Sequence, residues 1–380
     1  MITGAVNLMS LNDTDLKLLS NIKSHINALK PVLPNRAVVT IGQYALDLAD
    51  IPSVKGEQTD LIRVHHKKDL EYKTIILDRN YSMEIDTEYE PHYWFDLKTQ
   101  TDDETICKRL ERKIFRYHKD LYTITNLGEG TAAGLLPLLH KFFNNKAKNS
   151  LALGIFPSMA HSSDALFNAF SCTGMISLEN TTPLLFFDQG KLEEYRGVHR
   201  KGDTLNGVEA LDYLLEILLE KDGFLRDFFT LSRNFNLQYF TPLMATGCSL
   251  EIYDNLRNIL DISLEQPLLD IDISTSSHIY VLVRSPLSYS SEFTKGVIEY
   301  EVSQWMNESL GIDIPQVVDT IFREEYGDRL DVVMLMGGFD TKPLFGGIYE
   351  RIKRFTQMNL EQNLIEADHW NKLKENLLKD

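Results

Sequence analysis

The chain has 380 residues, 43% apolar and 25% charged, with a formal net charge of -16. That is enough for two medium domains whose cores need no covalent staples. The acidic balance excludes a duplex-binding surface, which needs clustered Lys and Arg, and disfavours anionic lipid, so no nucleic-acid partner is expected. Cys107, Cys172 and Cys248 are too few and too scattered for a disulfide framework or a zinc finger, which points to a reducing compartment. The first residues lack the pattern of a signal peptide, and no stretch approaches the roughly 18 apolar residues of a membrane helix. The expectation is a cytoplasmic protein with no direct membrane insertion.

In chain order, residues 11–30 carry apolar side chains at helical spacing behind the N-cap candidates Asn12, Asp13 and Thr14. Residues 37–42 and 73–78 read as strands, and 103–119 as an amphipathic helix. A strand at 121–125 leads into a glycine-rich turn and a helix over 135–145. Strand, helix and strand follow at 150–156, 164–175 and 183–187. This alternation predicts an α/β fold, a mostly parallel sheet with helices on both faces. Residues 206–221 form a helix with an unusually wide apolar face (Leu211, Leu214, Leu215, Leu218, Leu219), suited to burial between two domains. The second half reads as a separate α+β domain, with helices at 250–260 and 295–310 and strands at 278–285 and 330–339. The helical tail, 343–380, either binds a partner helix or caps its own chain. His65 and His66 could bind metal with Asp69, although neighbours on a strand point to opposite faces.

Between the strand at 121–125 and its helix stands Gly128-Glu129-Gly130-Thr131-Ala132-Ala133-Gly134. Such a turn presents backbone N–H groups at a helix N-terminus, where they can cradle phosphate, and glycine lets the backbone come close. A tight connection that binds nothing reads equally well from spacing alone. The turn is neither a Walker A loop nor a GxGxxG fingerprint.

In that strand-turn-helix context, GEGTAAG resembles the GGGTG[ST]G signature of the tubulin/FtsZ superfamily. The segments GDTLNGVEALD (202–212), LMATG (243–247), PLLDIDIS (267–274) and GDRLDVVMLMGGFD (327–340) resemble family segments in the same order. The resemblance spans roughly residues 120–340 and is closer to FtsZ than to tubulin in the second half. It implies a Rossmann-like nucleotide-binding domain over 1–205, a central helix and following loop over 206–232, a smaller α+β domain over 233–342 and a helical tail over 343–380. It further implies GTP, with Mg²⁺, at Gly42, Gly128, Gly130, Thr131, Ala132, Ala133, Gly134 and Asn206. In the family an Asn at the place of Asn206 contacts guanine; on its own, Asn206 reads as an N-cap. By the same resemblance Asp227 stands for the acid that one subunit inserts into the next subunit's site, with Asp222 and Glu220 nearby; the bland reading of Asp227 is an exposed carboxylate.

The chain departs from the family where phosphate would be held. Its first loop, Ile41-Gly42-Gln43-Tyr44-Ala45-Leu46-Asp47, keeps one glycine, and none occurs between Gly56 and Gly128. A carboxylate at Glu129 would face the phosphates if it points inward, and Thr230 replaces the second acid of the hydrolytic loop. Expected, therefore, is a cytoskeletal protein of cell division or cell shape that assembles head-to-tail with itself or co-assembles with another FtsZ/tubulin-type protein. Its GTP hydrolysis would be weak or lost. The alternatives are a working FtsZ-type polymerising GTPase and an unrelated doubly wound nucleotide-binding enzyme.

Overall fold

Burial with a period of two makes the strands. Tyr122 and Ile124, with Leu151, Leu153 and Ile155 of the next strand, enter one apolar cluster, while Leu121, Ala152 and Phe156 enter another. Strands that are apolar on both faces must be covered by helices on both sides. In the computed structural model, which describes residues 36–42, 59–65, 80–84, 91–100, 106, 108, 118–145, 149–179, 182–324 and 327–378, they are.

The strands are β1 (Arg36–Ile41), β2 (Thr59–His65), β3 (Asn80–Glu84), β4 (Asp120–Asn126), β5 (Asn149–Phe156), β6 (Leu184–Asp188), the short ribbon β7 (Gly197–Val198) with β8 (Thr204–Leu205), then β9 (Tyr239–Ser249), β10 (His278–Pro286), β11 (Gln316–Arg323) and β12 (Arg329–Gly337). The first six run parallel in the order β3-β2-β1-β4-β5-β6. This is the doubly wound order, which reverses between β1 and β4. From β6 the sheet continues into the second half of the chain. β9 pairs with β6 at Leu184–Tyr239 and Leu185–Phe240, and β12, β10 and β11 follow, with β12 antiparallel to both of its neighbours.

Among the described residues the longer helices that clothe this sheet are α1 (Trp94–Gln100), α2 (Gly130–Asn145), α3 (Ser163–Glu179), α4 (Gln189–Glu194), α5 (Gly207–Glu220), α6 (Phe224–Asn234), α7 (Leu256–Glu265), α8 (Lys295–Trp305), α9 (Lys342–Glu361) and α10 (Ala367–Leu378). Leu135, Leu139, Phe167 and Phe170 of α2 and α3 share one core with Phe345, Ile348 and Trp370 of α9 and α10. The tail thus caps its own chain. α5 is the central helix: Leu211, Leu214, Leu215 and Leu218 pack in one cluster with Ile124 and Leu153 of the first half and Tyr280 and Val333 of the second. Ile259, Leu260, Val302 and Trp305 cover the far side of β10 and β12.

One expectation is corrected. The helix over 250–260 is broken: Leu250–Tyr253 ends at Asp254, at φ 61, and Asn255 caps a new helix through its bond from the Asn258 N–H. Further on, the Asp272 carboxylate caps a single 3-10 turn at Ile273–Thr275. The helix expected at 11–30 and the strand at 73–78 lie outside the described residues, as does the helix at 103–119 apart from Ile106, Lys108, His118 and Lys119. Among the described residues no helix is long and apolar enough to cross a membrane.

Candidate functional site

Where strand order reverses, the carboxyl ends of β1 and β4 face a crevice, the usual ligand position in a doubly wound sheet. β4 ends at Asn126, whose Oδ1 accepts the Gly128 N–H at 2.9 Å, and the Glu129 N–H donates to the Asn126 carbonyl at 3.3 Å. The Glu129 carbonyl accepts the Ala133 N–H at 2.8 Å, which makes Glu129 the residue that opens α2. Behind it Thr131, Ala132 and Ala133 are buried. A Cβ on Gly130 would stand 2.4 Å from the Pro91 carbonyl oxygen, and one on Gly134 2.8 Å from that of Trp94. These two positions need glycine because the backbone of 91–94 lies across the first turns of α2. Asn168, 2% exposed on α3, holds the two together: its Nδ2 donates to the His92 and Gly128 carbonyls at 2.9 and 3.0 Å, and its Oδ1 accepts the Trp94 N–H.

Gly42 ends β1 at φ 80, and the space over its Cα belongs to Glu129: a Cβ there would lie 1.8 Å from Glu129 Oε2 and 3.0 Å from its Cδ. The carboxylate crosses the gap between the two strand ends, at the N-terminus of α2. As arranged, these residues do not fit a nucleotide phosphate, whose oxygens would meet a carboxylate at the glycine meant to admit them. Beside the turn, His92 Nε2 is 2.7 Å from Asp164 Oδ2. Burial pushes the Asp164 carboxyl up, but hydrogen bonds from Ser162 and from the N–H groups of Asp164 and Ala165, with the charge of His92, outweigh it and hold the group below its ordinary value.

Asn206 lies at the same end of the sheet. Asn126 Nδ2 reaches Gln189 of α4 at 3.4 Å, and Gly207 packs so closely on the Leu192 carbonyl of α4 that no Cβ could fit. Asn206 Oδ1 accepts the Glu209 N–H at 3.2 Å while Glu209 Oε2 accepts the Asn206 N–H at 2.9 Å, a reciprocal capping box. The oxygen with which it would read a base is thus turned onto its own helix. Asp227 is elsewhere. α5 runs back across the sheet, and at its end Arg36, the first residue of β1, binds the Leu219 carbonyl and Asp222, the latter at 2.9 Å. Asp227 follows in the first turn of α6, a helix and not the loop expected, 2.9 Å from Arg226 Nε. The glycine turn and Asp227 therefore sit at opposite ends of the strands, ~20 Å apart at about 3.3 Å per residue. Within one chain they do not meet.

Spacing could not have singled out Asn168, since nothing local marks a mid-helix Asn whose three bonds are to segments 40 and 76 residues away. Among the described residues no three His, Cys, Asp or Glu side chains could hold a metal ion, and His66 lies outside them.

No family profile and no curated protein matches the chain by sequence. Solved structures match its fold. CetZ from Methanosaeta thermophila strain DSM 6194 superposes with a TM-score of 0.62 at 15% identity, over 89% of this chain and 98% of that one. The GTPγS-bound protofilament of CetZ2 from Haloferax volcanii gives 0.59 at 14% identity (86% and 99%), and the empty FtsZ dimer of M. jannaschii gives 0.56 at 12% (87% and 94%). The strand order, the central helix between two cores and these superpositions agree: the chain has the fold of the tubulin/FtsZ superfamily.

Proposed function

We propose that this is a tubulin-like cytoskeletal protein that assembles head-to-tail, with itself or with another protein of the fold, and that its GTP hydrolysis is weak or lost. One observation carries the reading: the glycine turn and the acid-bearing start of α6 occupy opposite ends of one parallel sheet. Only a neighbouring subunit can bring Asp227 to the turn, and a contact between two different faces repeats into an open polymer. Similar structures that are themselves protofilaments support it. The pairing of Asp227 with Arg226 and the carboxylate over Gly42 support loss of hydrolysis. The role proposed, in cell division or cell shape, rests on analogy of fold.

The amino-terminal face also carries Phe235, half exposed just beyond α6. Pelleting and electron microscopy of the purified chain, with GTP, with GDP and without nucleotide, test the proposal. Filaments are expected in the wild type and not in Phe235→Asp, with little or no phosphate release. A wild-type chain that stays monomeric alone and beside an FtsZ/tubulin-type partner overturns assembly; brisk GTP turnover overturns the loss of hydrolysis.

A further inference from the structure

The crevice between β1 and β4 is built for an anion. Strand order reverses there, the N-terminus of α2 points its N–H groups into it, and β1 ends in a glycine with φ 80 that leaves room above its Cα. α2 carries no acidic residue in its first turn. The negative charge that this geometry favours is instead supplied by Glu129, immediately before the helix. Its backbone starts the helix, and its side chain turns back over Gly42, with Oε2, Cδ and Oε1 at 1.8, 3.0 and 3.6 Å from the place of a Cβ. The empty side of Gly42, free for a phosphate oxygen in a nucleotide-binding version of this crevice, is consumed from within. The second glycine is closed too, by the Pro91 and His92 carbonyls against Gly130, that of His92 held by Asn168.

We infer that Glu129 is a built-in occupant of the phosphate seat, an intramolecular carboxylate that takes the place of a nucleotide phosphate and frees this chain's assembly from nucleotide. The seat itself stands apart from the filament reading; the assembly consequence rests on it.

The experiment uses the full chain as wild type, Glu129→Gly, Glu129→Ser and Glu129→Gln. Gly and Ser are both tolerated where a helix begins, so that at least one variant folds. Fluorescent GTP with Mg²⁺, and unlabelled pyrophosphate as competitor, are titrated against each, and cooperative melting checks the fold. Glu129→Gly and Glu129→Ser are expected to bind GTP at least tenfold more tightly than the wild type. Glu129→Gln should gain less, because its amide fills the same space without the charge. Wild type should assemble equally with and without GTP. Equal affinity in wild type and folded variants overturns the inference, and so does an absence of binding in all of them. If Glu129→Gly gains affinity but no chain assembles, the filament reading fails and the self-filled seat stands.

Discussion

His140 shows how much a single residue inside α2 can weigh on stability. It is fully buried, with Nε2 2.8 Å from Thr123 Oγ1, and burial pushes its pKa down to about 3 from an ordinary 6.5. An unfolded imidazole takes up a proton below pH 6.5 that the folded one refuses until pH about 3. Stability from this group is therefore complete above about 6.5 and falls as pH falls. At about pH 5 the loss is ~2 kcal/mol, from about 1.5 pH units at about 1.4 kcal/mol each. Urea unfolding at about pH 7 and about pH 5 should show the wild type losing ~2 kcal/mol more than His140→Gln, whose amide keeps a partner for Thr123. Identical losses would assign the acid sensitivity to another group. At this scale the sequence was legible where chemistry is local: the glycine turn with its departure at Glu129, and the first loop reduced to Gly42, stand out in seven consecutive residues and one strand end. That Glu129 lies over Gly42 was not legible, because the two are brought together only by the pairing of β1 with β4.

Elements were readable in proportion to their apolar pattern. β1, β4, β5, β6 and β10 are apolar on both faces and were anticipated to within a residue or two. β2 and β11 were not, because each buries charge. Asp60 of β2 pairs with buried His118 at 2.9 Å, and Asp319 of β11 binds Lys295, Lys221 and Tyr280. Burial raises the Asp319 pKa, but hydrogen bonds from Lys295, Tyr280 and Lys221 more than reverse it, so the carboxylate is stable inside a strand that reads as polar. The break at Asp254 was hidden for the opposite reason, since Leu250, Tyr253, Leu256 and Leu260 keep helical spacing across it. The family resemblance implies a loop where α6 stands, although Phe224, Leu225, Phe228 and Leu231 have helical spacing and are all buried. The start of α5 gives the prediction at this scale. Asn206→Ala removes one half of the capping box and should cost ~1 kcal/mol in denaturant melts with the m-value unchanged. An unaltered midpoint would show that Asn206 does not hold the helix end and would return it to a ligand-contact role.

For the whole molecule the question is how the central helix is kept in register with both halves, since a subunit that presents a turn at one end and α6 at the other needs a rigid shaft between them. The first half grips α5 by apolar packing; the second half adds charge. Arg284 of β10 is fully buried, and its guanidinium binds Glu216 at 2.9 Å, Glu220 at 2.8 Å and Asp331 at 2.9 Å, with its Cζ 4.6 Å from the centre of the Tyr213 ring. Arg200 and Arg323 supply the other two cations, on Glu216 and Glu220. Asp331 sits at the bulge between β12 and β9, where it also accepts the Gly247 N–H at 2.7 Å and the Tyr213 hydroxyl at 3.1 Å. Among the described residues, Arg200, Arg284 and Arg323 thus join Glu216, Glu220 and Asp331 in one network that ties α5 to β10, β11 and β12. Such a network adds little over an apolar core of the same shape, but losing one member strands its partners. Arg284→Ala leaves Asp331, 2% exposed, without its cation and should cost about 3–5 kcal/mol in urea unfolding. The double variant Arg284→Met with Asp331→Asn removes both charges and keeps most of the volume, so it should regain more than half of that loss. If this network keeps the central helix in register, Arg284→Ala that is still folded at low temperature should pellet less filament than the double variant. A cost below about 1 kcal/mol for Arg284→Ala would mean that packing alone fixes the central helix.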